Sequence, residues 1–309
     1  MSDSHKNSEK FETLNPGRLT RLRNRRCPYC GEEIGGSVES SVDHVIGRRF
    51  VPKGSLAKSW NLLVNSHKKC NAEKAEYEND ISATTLQMFV ANPSEDPLNA
   101  NLLEAEAARK GRARSSLTHR RVNESHSKKT IKSNLGSAEL AFTFLSPPSL
   151  AEERILRLAE MQVRGLSSLI FFDRNKMDFN YLPPCIGLVA WSGRGDWGNV
   201  RVKAFMETVR DWEHRLLGTG LAGGYFQAII RKEPSQRPFW SWALEWNKTL
   251  RLMGFMGEDA ESLEKFAAKL PIPTWDKYWQ TDTPDQGQSF SRIRLETPLS
   301  PDEDKLFAP

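Results

Sequence analysis

Residues 27–30 read Cys27-Pro28-Tyr29-Cys30, and residues 67–70 read His67-Lys68-Lys69-Cys70, with 36 residues between the two groups. Each group offers two soft or borderline metal ligands separated by two residues. Two such pairs, each on a turn or at a helix start, are what a tetrahedral zinc ion ties together. Four protein ligands leave no open position, so the zinc expected here is structural. The competing reading is a chance clustering of ordinary buried thiols. The chain has four cysteines in all, with Cys185 far from the rest. A disulfide framework is the less expected use of them in a chain whose first residues show no apolar export segment.

Working outward from the two pairs, Ser41–Ile46 alternates and is β-prone, and Trp60–Val64 is a second short strand candidate. Between them lies a basic loop broken by Gly47, Pro52 and Gly54. From Lys68 the composition turns helical, with Glu73, Lys74, Glu76 and Glu78 as good helix formers. The order is thiol turn, strand, loop, strand, helix. Asp43 and His44 fall on the first strand, Asn61 on the second, and Asn71 and Lys74 on the helix.

In that order and spacing, residues 27–83 resemble the HNH endonucleases, also described as ββα-metal nucleases. The HNH domain of CRISPR effectors looks similar, with Asp-His on the first strand and asparagine further on. The resemblance covers under a fifth of the chain. His67 departs from it, since zinc-bearing members more often place a cysteine there; histidine is also a zinc ligand. The resemblance implies roles residue by residue. His44 matches the general base that deprotonates the attacking water, and a free pKa of about 6.5 suits that task at neutral pH. Asn61 matches the middle residue, which fixes the inter-strand loop and orients the histidine. Asp43 and Asn71 match the ligands of one catalytic Mg²⁺ or Mn²⁺, an asparagine carbonyl being acceptable to a hard ion. Asp43 follows the opposite face of a regular strand from His44, so local twist has to bring them to one site. Lys74 matches a trailing lysine.

These roles fit phosphodiester hydrolysis. A divalent ion would stabilise the departing oxygen and the charge of the transition state. Taken alone, His44 would read as a satisfied core histidine and Asp43 as a turn residue. Arg48, Arg49 and Lys53 follow His44 in the loop, and Lys68 and Lys69 open the helix. With Lys74, they are the expected phosphate contacts, giving salt-sensitive, sequence-independent affinity. A solvated loop is the plainer alternative.

The flanking sequence bounds the rest. The 309 residues suffice for about two domains. Mean hydropathy is −0.57, and no apolar run approaches the roughly 20 residues a bilayer span needs. A cytoplasmic protein without membrane association is expected. Residues 1–135 carry 23 Lys and Arg against 16 Asp and Glu, whereas 136–309 carry 21 against 23. The positive excess lies wholly in the first part, which hints at an anionic polymer partner. Residues 18–26 alone hold five arginines.

The expected organisation is a disordered 1–17, a nuclease domain over 18–91, a basic linker over 92–135, a C-terminal domain over 136–280 and a disordered tail over 281–309. A short helix is expected around Leu102–Lys110 within the linker. In the C-terminal domain, Leu150–Leu169 and Val200–Leu217 read as amphipathic helices. Ile186–Trp191, Gly224–Arg231, Trp240–Trp246 and Leu250–Phe255 read as strands, with a hairpin at Asn247-Lys248-Thr249. Trp240, Trp242 and Trp246 share one strand face, expected as a buried sheet surface more than as a base-stacking row. The overall class is α+β: a zinc-stapled, treble-clef-like nuclease unit plus a mostly antiparallel sheet with packed helices. The expected function is a metal-dependent DNA endonuclease acting on double-stranded DNA. A homodimer would allow double-strand breaks, and the C-terminal domain would take a partner or trigger. The alternative is a non-catalytic, zinc-stabilised nucleic-acid-binding protein; an RNase ranks third.

Overall fold

A computed structural model describes residues 12–15, 17–90, 100–115, 118–124, 127–135, 138–146, 152–235, 237–271 and 297–308. The chain is mixed α+β. Its elements in order are β1 (Glu12–Thr13), β2 (Thr20–Arg21), β3 (Ser40–His44), β4 (Leu62–His67), α1 (Lys68–Val90), α2 (Ala100–Gly111), β5 (Ser127–Leu135), β6 (Ala138–Ser146), α3 (Glu152–Phe171), β7 (Phe172–Asp173) and β8 (Asp178–Phe179). They continue with β9 (Cys185–Gly193), α4 (Val200–Val209), β10 (Glu213–Leu221), β11 (Phe226–Lys232), β12 (Phe239–Trp246), β13 (Leu250–Gly257) and α5 (Ala260–Ala267). No helix among the described residues is long and apolar enough to cross a membrane.

The N-terminal unit is a three-stranded sheet in the order β2-β4-β3 with α1 running directly out of β4. β3 alternates between exposed and inward positions, burying Asp43 while Val42 faces solvent, as a strand packed on one face must. β4 is central and buried throughout except at Asn65. The buried residues of α1 crowd into its second half, from Lys74 to Phe89, where other elements enclose it.

The larger sheet has the order β1-β10-β11-β12-β13-β9. All of its neighbours are antiparallel except β1, which runs parallel to β10. Every residue of β12 and β13 is buried, because both faces are covered. Trp240, Trp242, Leu244 and Trp246 face the core shared with the N-terminal unit. Phe239, Ala243, Met253 and Phe255 face a second core with α4 and α5. The tryptophan row is therefore sheet interior. The β12–β13 hairpin turns through Asn247 and Lys248, both at positive φ (49° and 56°), closed by Thr249 N–H donating to Trp246 O. Positive φ at both central positions matches the right-handed strand twist.

Several boundaries differ from the sequence expectation. Val200–Leu217 is not one helix. α4 stops at Val209, and β10 begins at Glu213. Trp212 at the junction packs on Phe239 and Phe255, and the following residues pair with β11, so sheet completion overrides the helical period. The stretch expected as a linker contains α2, which packs along α1 and buries Leu103, Ala107 and Lys110; it also contains β5, which pairs with β6. Within the expected tail, the described residues 297–308 pack on the sheet. Asp304 takes two bonds from Arg251, at 3.0 and 2.6 Å, and Leu306 is buried. Of residues 1–17, expected to be disordered, Glu12–Thr13 form β1 against β10 and Leu14 is buried; residues 1–11 and 16, with 281–296 of the expected tail, lie outside the described residues.

The two halves share one core. Phe50 meets Trp246 edge-to-face at 5.4 Å between ring centroids. Asn247 Nδ2 donates to Phe50 O (3.2 Å) and to Thr85 Oγ1 (2.8 Å), and Trp246 Nε1 donates to Gln162 Oε1 on α3 (2.8 Å). At Gly165 of α3, an added methyl would strike Val45. That glycine lets the helix approach the loop after His44.

Candidate metal centre and candidate active site

The Cys27–Cys30 turn is built by backbone bonds. Gly31 N–H donates to Cys27 O (2.8 Å), Cys27 N–H donates to Glu32 O (2.8 Å), and Gly31 sits at φ +81°. That left-handed residue closes the turn that carries the two thiols, Cys27 buried and Cys30 exposed. The last residue of β4 and the first turn of α1 supply His67 and Cys70. The four ligand atoms all lie within 4.8 Å of one another, comparable with the roughly 3.8 Å between sulfurs of a tetrahedron with ~2.3 Å bonds. His67 Nε2 donates to Glu33 O (2.9 Å), which leaves Nδ1, 3.2 Å from Cys30 Sγ, turned into the cluster. A ligating histidine has its tautomer fixed in this way. Burial raises the Cys27 thiol pKa, and burial with the neighbouring Cys27 and Cys30 pushes Cys70 up to about 12. Thiols crowded in this way lose their protons readily only to a cation placed among them. The donor set, the tautomer and the spacing all fit, so this Cys₃His cluster could hold a structural zinc.

One turn further along α1, Lys74 is fully buried. Its ammonium lies 3.2 Å from Asp43 Oδ2 and 2.9 Å from Glu78 Oε1, and donates to His44 O at 2.8 Å. Tyr29 hydroxyl donates to the same Asp43 oxygen, and Gly47 N–H donates to Glu78 Oε1 (3.1 Å). Burial alone would lower the Lys74 pKa, but Glu78 and Asp43 outweigh it and raise it; the ammonium keeps its charge. Burial raises Glu78. These bonds tie the thiol turn, β3, the basic loop and α1 together. Lys74 is therefore a buried structural cation, and its expected role as a phosphate contact is corrected: no surface of it reaches solvent.

Asp43 uses Oδ2 in these bonds, while Oδ1 carries no hydrogen bond among the described residues. Asn71, on the same side of α1 as Lys74, donates Nδ2 to Ser41 Oγ (3.0 Å) and likewise leaves its carbonyl oxygen without a protein donor among the described residues. Ser41 and Asp43 are two apart on β3, so both oxygens lie at the seam between β3 and α1. His44 follows the opposite face, in line with strand alternation, so β3 does not show the twist expected to bring it to one face with Asp43; its imidazole has no hydrogen bond among the described residues. Burial, then the nearby Arg48 charge, lowers its pKa, so the ring is neutral at pH 7 and able to accept a proton. Asn61 grips the backbone just beyond it. Its Oδ1 accepts from Ile46 N–H (3.2 Å) and Leu62 N–H (2.8 Å), and its Nδ2 donates to Ile46 O (2.7 Å).

Arg48, Arg49, Lys53 and Lys69 carry no ion pair among the described residues, and all four are exposed. Lys68 is exposed too, but pairs with Glu39 at 2.7 Å. Sequence reasoning missed Tyr29 and Glu78. Glu78 had a signal, because it lies four residues after Lys74 on one helix face; Tyr29 had none beyond its place between the two cysteines. The Trp191–Gly198 loop, whose composition suits ligand binding, is filled by the chain itself. Gly198 N–H donates to Thr297 O (2.7 Å), Thr297 Oγ1 donates to Asp196 Oδ1 (2.5 Å), and Arg251 stacks 3.6 Å over Trp197.

The chain matches no protein-family model, no curated protein and no solved structure.

Proposed function

We propose that this chain is a metal-dependent DNA endonuclease of the HNH type. The observation that carries the reading is Asn61 holding Ile46 by both its N–H and its C=O, two residues beyond an imidazole that accepts and donates no hydrogen bond among the described residues. A satisfied core histidine would be hydrogen-bonded. Here the chain spends its bonds on fixing the backbone beside His44 and leaves the ring free to take a proton from water. Asp43 and Asn71 would hold one Mg²⁺ or Mn²⁺ through the carboxylate and amide oxygens left open at the β3–α1 seam. Such an ion, when bound, stabilises charge on the phosphate and the leaving oxygen. Arg48, Arg49 and Lys53, in the loop that follows His44, would neutralise backbone phosphates, as would Lys69 at the start of α1. One such site per chain nicks one strand, so a double-strand break would take two copies.

A second reading has an observation of its own. Asp43 is buried and already bonded by Tyr29 and Lys74, as in a structural carboxylate, which favours a zinc-stapled protein that binds nucleic acid without cutting it. A plasmid assay separates the two, with purified zinc-loaded protein in Mg²⁺, Mn²⁺ or neither, beside His44→Ala. Metal-dependent nicking that disappears in His44→Ala supports the nuclease. Plasmid retarded in a gel but never cut, alike for both proteins, means the binding reading is right.

A further inference from the structure

The arginine-rich run before Cys27 has no part in the site above, and the fold gives it a distinct setting. From Leu19 to Arg25 the chain is extended and alternates: Leu19, Arg21, Arg23 and Arg25 are exposed, whereas Leu22 and Asn24 are buried. Trp60 Nε1–H donates to Thr20 Oγ1 (2.9 Å) and anchors the strand from beneath. Beside it opens a cavity of about 550 Å³. Arg18, Arg21 and Arg23 line it from β2 and its flanks, and Arg174 lines it from the β7–β8 turn. Leu169, in the last turn of α3, and Phe172, which opens β7, are half-buried in its wall. No acidic residue lines it among the described residues.

None of these four arginines has an ion pair among the described residues. Nearby arginines that serve the fold are paired: Arg26 with Asp178 at 2.8 Å, and Arg164 with Glu160 at 3.0 Å. Unpaired guanidiniums gathered around a partly apolar cavity bring mutual repulsion with no internal compensation, and they match an anion that also carries a flat apolar group. On one strand face, Arg21 and Arg23 stand about 7 Å apart, comparable with the step between phosphates of an extended polynucleotide. Positive groove plus apolar and aromatic wall is how single strands are held. A duplex, with its bases stacked inside, has nothing to place against Leu169 and Phe172.

The register gives the cleft a direction. Arg21 pairs with Leu63, and Leu63 pairs with His44. Directly paired residues share a sheet face, so Arg21 and His44 flank Leu63 on one face, about two strand spacings or ~10 Å apart.

We propose that this cleft binds single-stranded nucleic acid, with phosphates on Arg18, Arg21, Arg23 and Arg174 and a base against Phe172 and Leu169. That the strand is delivered to His44 rests on the nuclease reading; that it binds does not.

The test is fluorescence anisotropy with labelled oligothymidylate across a salt series, using full-length His44→Ala to prevent cutting. Arg21→Gln/Arg23→Gln is compared with Arg174→Gln, which approaches the cavity from the other side if the first variant folds poorly. The double variant is expected to weaken binding about tenfold or more and to lower the log–log salt slope by about 1.4, since each of the two arginines neutralises one phosphate worth ~0.7. Arg174→Gln is expected to lower the slope by about half as much. Unchanged affinity in both folded variants overturns the proposal. So does a hairpin duplex that binds as tightly with the same dependence on these arginines, or thymidine monophosphate that displaces the oligomer at equal concentration. Oligomer binding that depends on these arginines, in a protein whose wild type never cuts, would remove the nuclease reading and leave the cleft standing.

Discussion

Lys74 Nζ lies 3.2 Å from Asp43 Oδ2 with both side chains shut away from solvent, and the same ammonium holds Glu78 at 2.9 Å. One cation thus serves two buried carboxylates. Removing it strands both, and breaking a buried pair by deleting one partner costs about 3–5 kcal/mol. Lys74→Met is therefore expected to lower unfolding stability by that order, read from a urea midpoint at unchanged slope. A loss within about 0.5 kcal/mol, the range of ordinary surface substitutions, would mean that the trio holds nothing together. Gly47→Ala should damage the same trio from outside, because its methyl would fall inside the Glu78 carboxylate.

The Cys₃His cluster predicts one zinc per chain by elemental analysis of protein purified without added metal. Cys70→Ser should lose most of that zinc, whereas His67→Cys should keep it, because cysteine replaces histidine in a tetrahedral site without changing ligand number. Chelation should also lower the melting temperature, since metal affinity for a folded site is folding free energy. Full stability in strong chelator with no zinc recovered would return the cluster to three ordinary thiols and a histidine.

Local chemistry explains which features are legible in the amino-acid sequence. Ligand spacing locates the Cys₃His cluster because a metal site constrains four residues at once. The helix start at Lys68 and the turn at Asn247-Lys248 are readable because both depend on neighbours in the chain. What the sequence hides is tertiary. Nothing near Lys74 distinguishes a buried lysine from a solvated one until Asp43 arrives from another strand. The α4–β10 break is invisible to helical periodicity because its cause, pairing with β11, lies many residues away. The charge excess of residues 92–135 conceals how firmly α2 is packed for the same reason: its apolar stripe is short, and α1 completes it.

The shared core makes a further expectation about the two halves. Phe50 on the N-terminal side and Trp246 on the C-terminal side bury each other, and Asn247 bonds to Phe50 O and Thr85. Neither half closes its core alone. Unfolding should be one transition, with far-UV and near-UV signals coincident. Phe50→Ala should cost about 3–5 kcal/mol while keeping that single transition. Two separated calorimetric transitions, or a fragment of residues 18–91 that folds by itself with zinc, would contradict it.

Lys110 offers a test in pH. Its ammonium is buried, donating to Ser82 Oγ and to the carbonyls of Phe50 and Val51 at 3.4 and 3.3 Å, and burial lowers its pKa from 10.5 to about 8. Between those values the unfolded chain binds the proton and the folded chain does not, so this group makes stability rise with pH across that window. Below pH 8 the buried charge opposes folding in full, by about 3 kcal/mol for such a shift. Lys110→Met removes that pH-dependent term. The hydrogen bonds it also removes give an offset that does not titrate. Stability of the variant minus that of the wild type should therefore be most favourable to the variant near pH 7 and fall by about 3 kcal/mol on reaching pH 10.5. Taking the difference cancels the tyrosines and thiols that titrate in both proteins. A difference flat across the window would mean that Lys110 keeps an ordinary pKa, and that enough solvent reaches it to make its burial only apparent.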